Sequence, residues 1–297
     1  MFQDLRGFAQ FISVERGLLF MISVGTTFLM GQALVWPAAL FLGVIVFCIW
    51  SAVDAMNNIC DVDLDVLSGP LRAKFTKKLG KFGFFIAVAF TALSLMLGAV
   101  TLMPFVLLFV GIGIFFGVIY SVPPFRLRKT TYKPIINFTV GAVPVMIIAA
   151  FFNSFSINII ILILLIGVTT AVNSLWEDLA DFASDFQSGS KTIPIILGFR
   201  RGLFLTVILG YVMIPLMVLV GVLFQLSLIY YGTLVTLASF ITLRLIQKRQ
   251  TLFKKDKADT QKLFKLGKVL AKDFVIVTIV FTLSLMLSSL LKINPIF

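Results

Sequence analysis

Apolar runs of about twenty residues dominate this chain, and its polar residues collect in the short breaks between them. A run of that length is what an α-helix needs to cross a hydrocarbon core of about 30 Å. Nine such runs are predicted to be spans, near residues 17–36, 37–56, 82–100, 102–121, 135–152, 157–175, 203–224, 226–245 and 274–291. The breaks at 36/37 and 100/102 are very short, and Pro37 and Pro104 mark the turns there. No segment reads as a linker between domains. The pattern therefore predicts an all-α, polytopic membrane protein with about nine transmembrane helices, one domain over residues 1–297.

Composition agrees with that class: 60% of the 297 residues are hydrophobic and 13% are charged. Charge placement gives a second, independent reading. With the N-terminus on the cytoplasmic side, every Lys and Arg except Lys292 falls on that side, as the positive-inside rule requires, and so do the Asp and Glu residues. The expected location is a cell membrane, with the N-terminus and the charged loops cytoplasmic. The net charge of +12 does not point to nucleic acid. Much of it lies in one loop, Arg244 to Lys272, without the interleaved aromatic residues that stack on bases. That loop reads as a topology signal, or as an interfacial helix in which Leu263, Leu266 and Leu270 alternate with Lys262, Lys265, Lys268 and Lys272. Cys48 and Cys60 have no metal-site spacing, and the first 16 residues lack the pattern of a cleaved signal peptide.

The chemistry concentrates in two acidic clusters that follow the second and sixth spans. At 100° per residue, Asn57, Asn58, Asp61 and Asp65 share an arc of about 100°, and so do Asp178, Asp181 and Asp185; Asp63 points elsewhere. Bunched carboxylates repel one another and call for a cation. Oxygen ligands favour Mg²⁺ or Ca²⁺, and the chain contains no His. The clusters lie four spans apart, the spacing of a four-helix pseudo-repeat that would set them face to face.

Carboxylates bridged by Mg²⁺ make a socket for a diphosphate. The nearby loops add Arg72, Arg126, Arg128, Lys129, Lys133 and Lys191 to balance phosphate charge. A diphosphate at the surface with hydrocarbon in the membrane describes a polyisoprenyl diphosphate. The bland readings are solvated acidic helix ends for the clusters, interfacial anchoring for Tyr120 and Trp176, and a buried structural acid for Asp54. A transporter would also hold intramembrane carboxylates, though nearer the midplane. A CDP-alcohol phosphotransferase also uses Asp clusters and a divalent metal, but the Asp-Gly and Ala-Arg pairs of its motif do not precede Asp61.

Three segments resemble the UbiA-type intramembrane prenyltransferase superfamily. Asn57, Asp61, Leu64 and Asp65 are similar to its Asn-x3-Asp-x2-Leu-Asp signature. Tyr120-Ser121-Val122-Pro123-Pro124 is similar to its Tyr-Ser-x-Pro-Pro loop. Asp178, Asp181 and Asp185, followed by Lys191-Thr192-Ile193-Pro194, are similar to its second Asp-rich motif and Lys-Thr-x-Pro tail. The resemblance implies nine helices around a central cavity. It also implies Mg²⁺-dependent transfer of a prenyl group from an allylic polyprenyl diphosphate to a lipophilic acceptor, an aromatic quinone precursor or a lipid alcohol. Metal ligation would fall to Asp61, Asp65, Asp178, Asp181 and Asp185. Substrate binding would fall to Asn57, Asn58, Arg72, Arg126 and Lys191, with Tyr120 beside the reacting carbon; Asp61, Asp65, Asp181, Asp185 and Tyr120 make up the catalytic set. Two departures stand out: Asn58 occupies a position where the superfamily often has Asp, and Ser68-Gly69-Pro70-Leu71-Arg72-Ala73-Lys74 stands in place of an Arg-rich stretch with its Arg-Pro pair, with Arg72 the candidate substitute.

Overall fold

A computed structural model of the chain describes residues 2–13, 17–31, 36–62, 70–253 and 260–293. Thirteen α-helices account for nearly all of them. Two amphipathic helices, α1 (Phe2–Phe11) and α4 (Pro70–Leu79), flank the first two apolar helices, α2 (Gly17–Gly31) and α3 (Trp36–Cys60). The apolar series continues with α5 (Lys81–Val100), α6 (Pro104–Ser121), α7 (Lys133–Phe151) and α8 (Ile157–Ala180). The short helices α9 (Phe182–Gln187) and α10 (Ile193–Leu197) lead to α11 (Phe199–Leu223), α12 (Leu228–Phe253) and α13 (Thr260–Ile293).

Eight of these are long and apolar enough to cross a membrane; α2, with 15 residues, is shorter. At 1.5 Å per residue α2 reaches about 22 Å, less than the span predicted there. The predicted turn near residue 101 is present, with Leu102 in the left-handed region and Pro104 opening α6, where its missing N–H costs nothing. Asn153 and Gln225 take the same left-handed conformation in the turns after α7 and α11.

Contacts close α2, α3, α6, α7, α8 and α13 into a ring, while α5, α11 and α12 pack outside it. Burial follows: α3, α7 and α8 are mostly enclosed, and α5, α11 and α12 present Phe84, Phe85, Phe204, Val212 and Val235 outward, as a lipid-facing surface requires. Small residues set the helix spacing. A Cβ on Gly117 of α6 would lie 2.1 Å from Val53 of α3, and one on Gly141 of α7 would lie 2.5 Å from the Ile166 carbonyl oxygen of α8.

Two expectations are corrected here. The Lys- and Leu-bearing stretch before the last span is no separate interfacial helix, because Thr260–Ile293 is one continuous helix. Leu266 and Leu270 pack under Trp176, Leu179, Phe199 and Leu203 instead of lying on a bilayer surface. The spans that carry the acidic clusters are also longer than predicted, so α3 runs on through Asn57 and Asn58 and α8 through Glu177 and Asp178.

Candidate active site

The ring encloses a cavity of about 360 Å³ whose walls include Asp54, Asn57, Tyr120, Lys133, Glu177 and Asp181. Its other walls are Leu19 and Ile22 of α2, Ile166 and Thr169 of α8, and Val275 and Phe281 of α13. Polar groups from the ends of α3 and α8 thus meet apolar walls in one space, and both acidic clusters contribute to it.

The first cluster is tied to the loop that follows α6. Asp61 is fully buried and its two carboxylate oxygens pair with Arg126 and Arg128. Arg128 also donates to Asn57 Oδ1 at 2.9 Å, and the Ser121 hydroxyl donates to the same oxygen at 3.1 Å. Arg126 adds a bond to the Cys60 carbonyl at 3.2 Å. It does so from a left-handed backbone, φ 43°, which for a side chain with a Cβ costs about 1–2 kcal/mol. The Pro123-Pro124 bond just before it is cis. Burial, and then the Arg126 charge, hold the Lys129 ammonium below its ordinary pKa. The Lys129 carbonyl accepts the Lys191 N–H at 2.8 Å, joining this loop to the tail of the second cluster; the Lys191 side chain is exposed and is not part of the cavity wall.

The second cluster divides between two sides of its helix. Asp178, 1% exposed, pairs with the buried Lys133 of α7, and its Oδ2 has no hydrogen-bond partner among the described residues. It is not in the cavity wall, whereas Asn173, Glu177 and Asp181 are. Asn173 donates to Glu177 Oε1 at 3.2 Å, and Lys133 reaches Glu177 Oε2 at 3.6 Å. Asn173, Glu177, Asp181 and Asp185 recur every four residues, a helical stripe. That four-residue spacing marks Asn173 and Glu177, and Asp178 lies off it. Asp181 is exposed and lines the cavity; desolvation by the surrounding protein, partly offset by Lys133, raises its carboxyl pKa, with Asp185 and Glu177 adding to the rise. Asp185 is half-buried, and its carbonyl accepts the Ser190 N–H.

Of the remaining expected residues, Tyr120 and Arg72 line the cavity, Arg126 holds Asp61 beside it, and Asp65 lies outside the described residues. Asn58 borders the cavity but spends its amide N–H on the Phe11 carbonyl, 2.8 Å away. Among the described residues no three acidic, Cys or His side chains converge on one point.

The sequence profile of the UbiA prenyltransferase family matches residues 18–269. The chain belongs to this family. No curated protein matches it closely enough to count as a relative. Solved UbiA-type structures share its fold at low identity. A digeranylgeranylglyceryl phosphate synthase superposes with a TM-score of 0.65 at 18% identity, covering 96% of this chain and 98% of its own. A UbiA homologue from Archaeoglobus fulgidus bound to GPP and Mg²⁺ gives 0.64 at 17%, covering 93% and 99%. The apo UbiA homologue from Aeropyrum pernix K1 gives 0.59 at 14%, covering 89% and 98%. A UbiA fold therefore spans the chain, with its cavity between the ends of α3 and α8.

Proposed function

We propose that this UbiA-family protein transfers a polyprenyl group from an allylic diphosphate to a lipophilic acceptor at the cavity between α3 and α8, with Mg²⁺ as cofactor. The observation that carries the reading is the make-up of one cavity: Arg72, Arg128 and Lys133 beside Glu177 and Asp181 at its polar walls, and Leu19, Ile22, Ile166 and Phe281 along its apolar ones. A diphosphate and a hydrocarbon chain each find matching chemistry there. The distribution of basic residues supports placing its polar walls at the cytoplasmic face.

Mg²⁺ bound between carboxylates and diphosphate would make the diphosphate a better leaving group. Glu177, Asp181 and Asp185 from α8 and its extension would hold it, with Asp61 from the first cluster and Asp65, by its place in the motif, completing the set. Arg126 and Arg128 give up part of their contact with Asp61 and turn their donors to phosphate oxygens as charge builds on them. Arg72 and Lys133 add positive charge in the same wall. The allylic carbon then lies next to Tyr120, whose ring face stabilises developing positive charge. Asp54, Thr169, Thr170 and Asn173 supply the polar surface against which an acceptor is oriented. The solved UbiA homologue bound to GPP and Mg²⁺, and the digeranylgeranylglyceryl phosphate synthase, support this substrate class.

The test is release of inorganic diphosphate from geranylgeranyl diphosphate by the purified protein in a bilayer mimetic, across aromatic and lipid-alcohol acceptors. Release that requires both Mg²⁺ and one acceptor, and that EDTA abolishes reversibly, is the expected result. No release with any acceptor from a folded protein would sink the proposal.

A further inference from the structure

The side-chain amide N–H of Asn58 is taken up by the protein. The residue is 1% exposed, and its Nδ2 donates to the carbonyls of Phe11 at 2.8 Å and Gln10 at 3.5 Å. Those are the last two residues of α1, whose final carbonyls have no partner within the helix. Phe11 itself is fully buried among Ile12, Ala55 and Ala87. The end of α1 is therefore fastened to α3 by an amide donor and by a buried ring.

The body of α1 rests on α4. Gly7 is so close to Phe75 that a Cβ there would lie 2.6 Å from its ring, and Phe8 and Phe11 meet the same ring at centroid distances of 6.5 and 6.3 Å. Asp4 pairs with Lys78 at the far end, and that contact lowers the Asp4 carboxyl pKa. On α4, Arg72 lies one turn before Thr76, and the Thr76 hydroxyl donates to the Arg72 carbonyl. Among the described residues of α4, Arg72 is the one in the cavity wall.

We propose that Asn58 is a positioning residue: by capping the C-terminus of α1 it fixes α1 against α4, and so holds Arg72 in the wall of the cavity. A carboxylate at position 58 would have no hydrogen to donate and would face two carbonyl oxygens, so the Asn for Asp departure from the superfamily pattern follows from this contact. It also ties the two departures together, since Arg72 stands where the Arg-Pro pair is missing. The link to Arg72 rests on the reading of the cavity as a diphosphate site; the capping of α1 does not.

The experiment compares wild type, Asn58→Asp, Gly7→Val, Arg72→Ala and the double variant Asn58→Asp/Arg72→Ala, by amide hydrogen exchange and by kinetics with geranylgeranyl diphosphate. Gly7→Val displaces α1 through Phe75 without touching the cavity, and so guards against an effect peculiar to Asn58→Asp. In both Asn58→Asp and Gly7→Val, exchange over residues 2–13 and 70–79 is expected to speed up about tenfold, the size of one lost buried hydrogen bond. The KM for the diphosphate should rise about tenfold, with the Mg²⁺ requirement unchanged. Adding Asn58→Asp to Arg72→Ala should cost less than about twofold more, because both act on one group. Unchanged protection of α1 in Asn58→Asp would overturn the capping role, and this holds even for a protein that releases no diphosphate, a result that sinks the proposed function by itself. Losses that multiply in the double variant would overturn the link to Arg72. A lower Mg²⁺ requirement in Asn58→Asp would make position 58 a ligand position and overturn the positioning role.

Discussion

Arg128 and Asp61 form an ion pair of unequal exposure: the carboxylate is fully buried, while about a quarter of the guanidinium side chain, 24%, remains accessible. Asp61 depends on Arg128 and Arg126 for its charge balance, and Arg128 at the same time borders the cavity. The pair is thus a hinge between the stability of the fold and the chemistry of the site, and the two roles separate by mutation.

Asp61→Ala removes the carboxylate that the Arg126 and Arg128 guanidinium groups share. Loss of one partner of a buried pair costs about 3–5 kcal/mol, toward the lower end here because both arginines are partly solvated. Thermal melting should show a clear drop, and diphosphate release should fall by about 10²-fold or more. Adding Arg128→Ala should recover part of the melting temperature but none of the turnover. Recovery of both would mean that Asp61 serves the fold alone.

The raised pKa of Asp181 sets a pH dependence. Desolvation disfavours its charged form, so its proton is lost at higher pH than the ordinary value of 3.8. A cation needs the carboxylate. As pH falls, Asp181 is therefore protonated earlier than an ordinary Asp, and the Mg²⁺ concentration for half-maximal activity should rise while carboxylates of ordinary pKa are still ionised. Mg²⁺ titrations at a series of pH values down to about 5 check this, with Asp181→Asn as the reference that lacks the titrating group. The same slope in both proteins would rule Asp181 out as its source.

The helices and the order of the site were legible in the sequence because lipid imposes a simple rule: long apolar runs become helices, and their charged ends share a side. The turn at Pro104 and the convergence of the two clusters follow from that rule. The side of α8 on which each acid lies was not legible by the same means. Glu177 and Asp178 are neighbours 100° apart, and Lys133, about 45 residues earlier in the chain, decides which of them is consumed in the packing of α7 on α8. Asn58 likewise reads as a ligand from its place in the motif, and only the position of α1, an amphipathic helix with no motif of its own, shows where its amide goes. Tertiary partners distant in sequence account for both differences.

Glu177 and Asp178 should therefore separate in experiment. Glu177→Gln keeps the shape of the side chain in the cavity wall and removes its charge, so the Mg²⁺ requirement should rise several-fold with little change in melting. Asp178→Ala leaves Lys133 buried without its main partner, which should destabilise the protein by about 3–5 kcal/mol. Melting curves beside Mg²⁺ titrations of both variants decide the matter, and a larger Mg²⁺ effect in Asp178→Ala than in Glu177→Gln would reverse the assignment.

The close approach of α7 to α8 offers a test that involves no charged group. At Gly141 an added Cβ would lie 2.3 Å from the Thr170 hydroxyl oxygen and 2.5 Å from the Ile166 carbonyl oxygen. A hydroxyl can rotate aside, but a helix carbonyl cannot move without its backbone, so Gly141→Ala must push the two helices apart. Overpacking of this kind costs about 1–3 kcal/mol. The displacement also reaches the site, because Ile166, Thr170, Asn173 and Glu177 all line the cavity from α8. Gly141→Ala should therefore lower both the melting temperature and kcat. Gly210→Ala, on α11 where a Cβ meets nothing within 4 Å, should leave the melting temperature near that of wild type. Equal melting temperatures for the two variants would show that α7 and α8 tolerate a wider spacing than the structure has.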